Sequence, residues 1–444
     1  MNCHLYFKFT LAQRGTSLVT KTMKILVVVS LLIPLALGSE SECSYQDQQS
    51  GQCQNPQNPG GKNKLGKAES EFALNLYREV TAVGPKTTWT KNVHISPISV
   101  FYPFVLLLQG SGVGSQTYNQ ISKVLRLNGF QNDDQINERM RLLINQLNFQ
   151  GVVSEAHMGS KIFLGERTML TQSFHQIMDK YYKTDFQPSI FIEPAQVAEE
   201  INEYISKATK KKIPALVDNL KSNPNMVLAS YLYFKGEWEK PFNRRETREE
   251  TFNLINGEEI KVSVMHNKAI YRTYRDETLQ CNVIQIPYKG SISLIVAVPT
   301  HPGDIHRLGQ GLTIDSFQQW LRSMSSSLVE LALPKFSVSG KVDLKGHLEQ
   351  MGMHNVFNDA DFTRMSAIPD ISLTEIFHQT VLDVSESGAQ ASGATAAIAV
   401  TTARTTPFPF HTFNAKTPFL YYLYDKNTET LLLTGKITDP TDSD

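Results

Sequence analysis

Residues Glu386–Arg404 read ESGAQASGATAAIAVTTAR, and this stretch decides how the rest of the chain is read. Between its two ends it carries no charge, no proline and no aromatic ring. Every second position (Ala389, Ala391, Gly393, Thr395, Ala397, Ala399, Thr401) is small, while the alternate row turns β-branched at Ile398 and Val400. Side chains alternate across a strand, so the segment is able to enter the middle of a sheet with its small row packed inward. The Gly, Ala and Ser at its start are nevertheless poor strand formers. Composition alone would sooner suit a linker. Too few residues follow it to make a domain. They hold two apolar, strand-like runs, Phe419–Tyr424 and Leu431–Gly435, around the polar turn Asp425-Lys426-Asn427. That hairpin has to pack into a core built upstream. The stretch therefore reads as a loop tethered at both ends to one folded body and able to become a strand.

Working outward, the 444-residue length would suggest two or three domains, yet no linker or charge run divides residues 70–440. Helical spacing covers residues 69–83, 132–148 and 194–208. Ser96-Pro97 opens another helix, with Ser96 as cap and Pro97 in its first turn. From residue 226 strands dominate: Met226–Phe234, Asn282–Ile286, Ile292–Val298 and Leu328–Ala332. Helices first and strands later predict a single α+β domain.

A formal net charge of zero gives no general pull towards nucleic acid or an acidic membrane. Enzyme signatures are missing: no Gly-x-Ser-x-Gly elbow, no His-Glu-x-x-His and no phosphate loop, since Gly110-Ser-Gly-Val-Gly114 is a lone glycine-rich turn. The histidines lack ligand spacing. No catalytic residue, cofactor or metal site is expected.

Lys21 and Lys24 precede the apolar run Ile25–Leu37, with Gly38 and Ser39 behind it. Residues 1–38 therefore read as a signal peptide, with an alternative start at Met23, and the rest of the protein as secreted. Residues 39–66 are expected to be a disordered polar tail, with Cys43 and Cys53 placed to close a small disulfide loop. Cys281 reads as a packed thiol. No Asn-x-Ser/Thr sequon occurs.

Several further motifs stand in order along the chain: Asn92-Val-His-Ile-Ser-Pro-Ile-Ser99, Tyr233-Phe-Lys-Gly-Glu-Trp-Glu-Lys-Pro-Phe242, Leu333-Pro-Lys-Phe336, His378-Gln-Thr-Val-Leu-Asp-Val384, Glu386-Ser-Gly388 and Thr417-Pro-Phe419. With them the chain resembles the serpins, and within that family the secreted antitrypsin-like clade. The resemblance runs from about residue 70 to the end and implies one domain over 67–444. It further implies three β-sheets, about nine helices and an exposed reactive-centre loop at about 386–410.

The same resemblance gives roles to residues that have ordinary readings of their own. Lys335, otherwise a solvated strand-end lysine, would pair with Glu386 where the loop enters the main sheet, and Trp238 would pack beneath that entry. His378, otherwise a satisfied core histidine, would join Ser96 and Ser99 in a hydrogen-bond network below the sheet. Ser230 stands where the family usually has Asn; one hydroxyl replaces an amide donor and acceptor, so that network must be wired differently. The hinge would comprise Glu386, Gly388, Ala389, Ala391, Gly393 and Thr395.

By resemblance the function is suicide inhibition of a serine protease: the protease attacks the loop and forms an acyl-enzyme. The cut segment then enters the main sheet as an extra strand. Counting from Glu386 by family spacing puts the cut after Thr402, at Thr402-Ala403, which would suit an elastase-like target. Arg404 is the only Lys or Arg between Glu386 and Lys416. Arg404-Thr405 is preferred, and suits trypsin-like proteases. The expected partner is that protease in a covalent complex, with no nucleic acid and no membrane, and the protein itself is expected to be a monomer. The segment 118–132 has only Lys123 and Arg126 as basic residues, so strong heparin activation is not expected. Lys210-Lys211-Lys212 reads as a solvated turn. The competing reading is a non-inhibitory relative carrying a small hydrophobic ligand such as a hormone.

Overall fold

In the computed structural model of the chain, the structure describes residues 64–82, 90–147, 155–165, 168–182, 186–189, 194–220, 226–368, 371–386 and 409–442. Residues 1–38, read above as a signal peptide, Cys43, Cys53 and residues 387–408 lie outside them. Ten α-helices occur among the described residues: α1 (Lys64–Ala82), α2 (Pro97–Gly110), α3 (Gln116–Val124), α4 (Asp133–Gln146), α5 (Gln172–Ile177), α6 (Pro194–Ala208), α7 (Ile305–Gly311), α8 (Ile314–Ser323), α9 (Leu344–Gln350) and α10 (Asn355–Asn358). Helix α1 starts earlier than the 69–83 periodicity predicts. Leu65 and Gly66, read as part of the polar tail, are buried. The reason is spacing: Leu65, Ala68, Phe72 and Leu76 form one helical stripe that enters the core.

The strands are β1 (Val93–Ile95), β2 (Glu155–Gly165), β3 (Phe186–Ser189), β4 (Met226–Lys235), β5 (Arg248–Asn253), β6 (Glu259–Asp276), β7 (Cys281–Pro287), β8 (Ile292–Pro299), β9 (Ser325–Pro334), β10 (Phe336–Val342), β11 (Leu373–Val384), β12 (Phe410–Asn414), β13 (Phe419–Asp425) and β14 (Thr430–Ile437). They form two hydrogen-bonded networks among the described residues, not three. One is a five-stranded sheet in the order β10-β11-β4-β2-β3; the other is nine-stranded, β1-β14-β13-β8-β7-β6-β9-β12 with β5 on β6. The long strand β6 explains the merger. It pairs with β5 through Glu259–Val264, with β9 through Val264–Thr273 and with β7 through Arg272–Asp276, so one strand serves both halves.

The five-stranded sheet is covered on both faces. Its back face gives Leu228, Leu232, Phe234, Ile376, Leu382 and Val384 to the main core, against helix α2, which runs between β2 and β4 on one side and β14 on the other. Its front face gives Phe163, Val227, Ala229 and Tyr231 to a second cluster with Val197, Ile201 and Ile205 of α6. Strand β4 is accordingly buried along nearly its whole length, as the unbroken apolar run Met226–Phe234 requires. Helix α2 carries apolar residues all round and is almost wholly buried.

Candidate functional site at the end of a parallel seam

Strands β11 and β4 run parallel and pair directly from Leu373↔Met226 to Leu382↔Phe234. We call this interface the seam. Just beyond its upper end, Val384 gives way to Ser385 and Glu386. Pro409 leads into β12, which pairs in parallel with β9 in the other sheet. Residues 387–408 therefore connect a central strand of one sheet to an edge strand of the other.

Glu386 is anchored at the loop's root. Its side chain is only 8% exposed and lies 3.2 Å from Lys335 Nζ through Oε2. Thr247 Oγ1 donates to its Oε1 at 2.9 Å, and the Phe242 N–H donates to its carbonyl at 3.3 Å. Burial by itself would raise this carboxyl's pKa. Its backbone hydrogen bond, Thr247 and Lys335 outweigh that and hold it below the usual carboxylate range. Lys335 sits between the end of β9 and the start of β10, and Phe336 pairs with Val384, so the contact crosses from β10's end to β11's end.

Trp238 lies beneath this point. Its indole N–H donates to the Ser385 carbonyl at 2.8 Å, its ring stacks on Tyr288 at 4.0 Å, and Phe242 meets it edge-on at 5.6 Å. Gly236 explains a glycine in the Phe-Lys-Gly motif: a Cβ there would come within 2.3 Å of the Tyr288 ring.

Lower on the seam, Ser230 and His378 are register partners, both with no exposed surface. The Ser96 N–H donates to His378 Nε2 at 3.0 Å. That nitrogen must therefore hold its lone pair, which leaves the ring proton on Nδ1, 2.9 Å from Ser230 Oγ. Ser230 is thus the acceptor, and its own hydroxyl faces the Phe377 carbonyl at 3.5 Å. Ser99 Oγ stands 3.5 Å from Nδ1 and donates to the Ser96 carbonyl at 3.0 Å. Burial pushes the His378 imidazole down to about 3, in keeping with a ring that has no place for a second proton. Ser96 differs from its expected part in one respect. Its hydroxyl does not cap α2; it donates to the Leu432 carbonyl of β14 at 2.9 Å. Pro97 at the first helical position removes one of the four unpaired amides of the helix start.

Of the residues singled out in the sequence, the structure gathers Lys335, Trp238 and Glu386 at the seam's end, and Ser96, Ser99, Ser230 and His378 midway along it. Gly388, Ala389, Ala391, Gly393, Thr395, Thr402, Ala403, Arg404 and Thr405 lie outside the described residues. Thr247 and Tyr288, which hold Glu386 and Trp238, carry no signal in the sequence; only the fold brings them there. Cys281 is a buried free thiol that burial pushes up to about 12.

A profile of the Serpin family, described as serine protease inhibitor, matches residues 67–440. The chain belongs to the serpin family. A Xenopus laevis protein called serine protease inhibitor A6 is 31% identical over 448 residues, spanning 95% of this chain and 100% of that one. The human plasma serine protease inhibitor is 30% identical over 372 residues, 83% of this chain and 89% of its own. Among solved structures, human thyroxine-binding globulin complexed with thyroxine superposes with a TM-score of 0.75 at 27% identity, covering 86% of this chain and 99% of that one. Relatives of this serpin thus include proteins named for protease inhibition and one named for hormone binding. No helix among the described residues is long and apolar enough to cross a membrane.

Proposed function

We propose that this serpin is a secreted inhibitor of a trypsin-like serine protease, not an enzyme, and that it acts by inserting its cleaved loop into the five-stranded sheet. The observation that carries this is the seam. A segment leaving the end of β11 and turning back would run antiparallel to both β11 and β4. Insertion would exchange one parallel interface for two antiparallel ones, and antiparallel pairing is the more stable per residue. The residues available to insert, from Ser387 to Thr401, carry no charge that would have to be desolvated. Arg404-Thr405 is the proposed reactive bond and Thr402-Ala403 the second choice. The hinge is proposed to run from Glu386 through Gly388, Ala389, Ala391 and Gly393 to Thr395.

The test is to mix the protein with trypsin and resolve the products under denaturing conditions, with intact mass of the released peptide. A denaturation-resistant complex and a peptide beginning at Thr405 are expected. Quantitative cleavage without any complex would overturn the proposal.

A second reading has one observation of its own. A cleft of about 360 Å³ lies between α1, α8 and the β13–β14 turn, lined by Ile314, Phe317, Leu321 and Tyr424, with Lys67, Arg322 and Glu429 among its walls. An apolar floor rimmed by charges of both signs suits a small amphipathic ligand. Binding of such a ligand, read through Trp320 fluorescence beside Phe317, would favour a carrier role if trypsin yields no complex.

A further inference from the structure

We propose that three ion pairs spanning the seam form an ionic brake that sets how fast it opens; the proposal rests on the loop-insertion reading above. The first pair crosses the seam directly. Lys235 Nζ at the end of β4 lies 2.7 Å from Asp383 Oδ2 near the end of β11, with side chains 30% and 24% exposed. The other two cross it through a strap, the segment 209–220 that follows α6. On one side Lys212 reaches Glu155 of β2 at 3.4 Å and lies over the Tyr233 ring of β4 at 5.3 Å. On the other, Asp218 meets Lys341 of β10 at 2.6 Å. Strands β2 and β4 stand on one side of the seam, β10 and β11 on the other.

The strap is stiff. Asn202 of α6 accepts from the Leu216 and Val217 N–H groups at 2.7 and 2.8 Å and donates to the Val217 carbonyl at 2.8 Å. Thr209 Oγ1 donates to the Ile205 carbonyl at 2.8 Å and accepts from the Ile213 N–H at 3.1 Å. Ile213, Leu216 and Val217 are buried with α6. Lys210 and Lys211 adopt φ of 50° and 65°, left-handed backbone that side chains disfavour, and this sharp turn brings Lys212 back over β4.

Insertion of one strand moves β11 and β4 from direct neighbours, about 4.8 Å apart, to about twice that distance. The Lys235–Asp383 contact cannot survive the move. A stiff strap held on both sides cannot keep both anchors either, so at least two of the three pairs must break before the sheet accepts a strand. Two are partly exposed and the Asp218–Lys341 pair is largely so, with Asp218 79% exposed, so each contributes modestly and is screened by salt. Such pairs make a brake and not a lock.

The test uses the full-length protein and a synthetic peptide with the sequence of residues 388–401, following peptide uptake by native gel and by the rise in thermal midpoint, at salt from about 0.02 M to about 0.5 M. The wild type is expected to take up peptide faster at high salt. Asp383→Asn combined with Asp218→Asn should raise the low-salt rate by about two- to fivefold per pair and flatten the salt dependence. The exchanged pair Lys235→Asp with Asp383→Lys should restore a slow, salt-sensitive rate. If the wild type takes up peptide and the Asn variants match it in rate and salt dependence, the brake is overturned while insertion stands. If the wild type takes up no peptide at any salt, the insertion reading fails and the brake falls with it.

Discussion

Ser230→Ala is the sharpest probe of how the seam is held. The Ser230 hydroxyl accepts the His378 Nδ1 proton at 2.9 Å, and neither residue exposes any surface, so no water takes over when the hydroxyl is removed. A buried donor left without a partner costs about 1–3 kcal/mol. Ser99 Oγ, at 3.5 Å from the same nitrogen, can move in and recover part of this. The small cavity left by one oxygen adds little. The expected loss is about 1.5–2 kcal/mol, or about a 10- to 30-fold change in the folding equilibrium. Because the bond joins β4 to β11, its removal should also speed uptake of a loop peptide, by up to the same factor if the bond is broken when the sheet opens. Urea unfolding followed by tryptophan fluorescence reads the first effect, with Trp238 stacked near the seam's end as a reporter. Nitrogen NMR of the His378 ring should show a Nδ1–H tautomer in the parent protein. A variant with unchanged midpoint and unchanged peptide uptake would refute the reasoning, as would a parent ring protonated on Nε2.

Other substitutions test separate parts of the fold. Glu250 is held by Lys416 at 2.9 Å, His266 at 2.9 Å and Arg248 at 2.6 Å; burial alone would raise its carboxyl, but Lys416 and Arg248 outweigh it and pull it to about 2. Its stabilising effect is therefore present above the ordinary carboxylate range and lost as pH falls towards 2. Glu250→Gln should cost about 1–2 kcal/mol at neutral pH and remove that acid-dependent loss from the urea midpoints. Glu69, wholly buried against β14 with its Oε2 accepting from the Leu431 N–H at 2.9 Å, is pushed up to about 8 by burial. The folded state then holds the extra proton, so stability is fully present below the ordinary carboxylate pKa and lost as pH rises through 8. Glu69→Gln should flatten the midpoint-against-pH curve in that range. His378 and His94 are both pushed down to about 3 by burial, so the unfolded chain takes up their protons first and stability falls as pH drops from about 6.5 towards 3. His378→Gln should be less stable at neutral pH yet lose less between pH of about 6.5 and 5. Gly236→Ala should cost at least about 1–3 kcal/mol, seen as a lowered thermal midpoint, because its Cβ meets the Tyr288 ring.

Residues that announce themselves do so through pattern. The run Met226–Phe234 is legible because a strand buried on both faces must be apolar throughout, and the 419–435 hairpin because its turn is polar and its flanks are not. The seam itself is not legible from periodicity, since parallel pairing joins residues nearly 150 positions apart, as with Ser230 and His378. Only the family motifs point to that pairing. The Ser96 cap shows the limit of local reasoning: Ser before Pro is a sound helix start, but the hydroxyl found a β14 carbonyl that no local rule could see. The merger of sheets through β6 is of the same kind, because strand length alone does not say how many partners a strand will have. The stripe beginning at Leu65 was within reach of periodicity and was obscured by the polar residues before it.

The seam's surroundings set what a strand entering it must be. Its back face lies on Leu228, Leu232 and Ile376 above α2, with the neutral Ser230–His378 pair between them, and its front face lies on Ala229 and Tyr231 beneath α6. A charge on the row facing α2 would therefore be desolvated with no ion to meet it, at a cost of several kcal/mol. The other row faces the partly exposed side of β11, where Lys235 and Asp383 stand. From Ser387 through Ala403 neither row carries a charge, and Arg404 is the first ionisable side chain after Glu386. On the insertion reading the two charges bracket the stretch: Glu386 would stay at the mouth with Lys335 and Thr247, and burial would end before Arg404. On the insertion reading, a charge on the small row that packs inward, from Ala391 to Thr401, should convert the protein from inhibitor to substrate, while the alternate row meets the partly exposed side of the sheet and tolerates charge better. A linker would tolerate charge throughout. Ala397→Glu and Ile398→Glu, one from each row, separate the two cases in a single trypsin experiment.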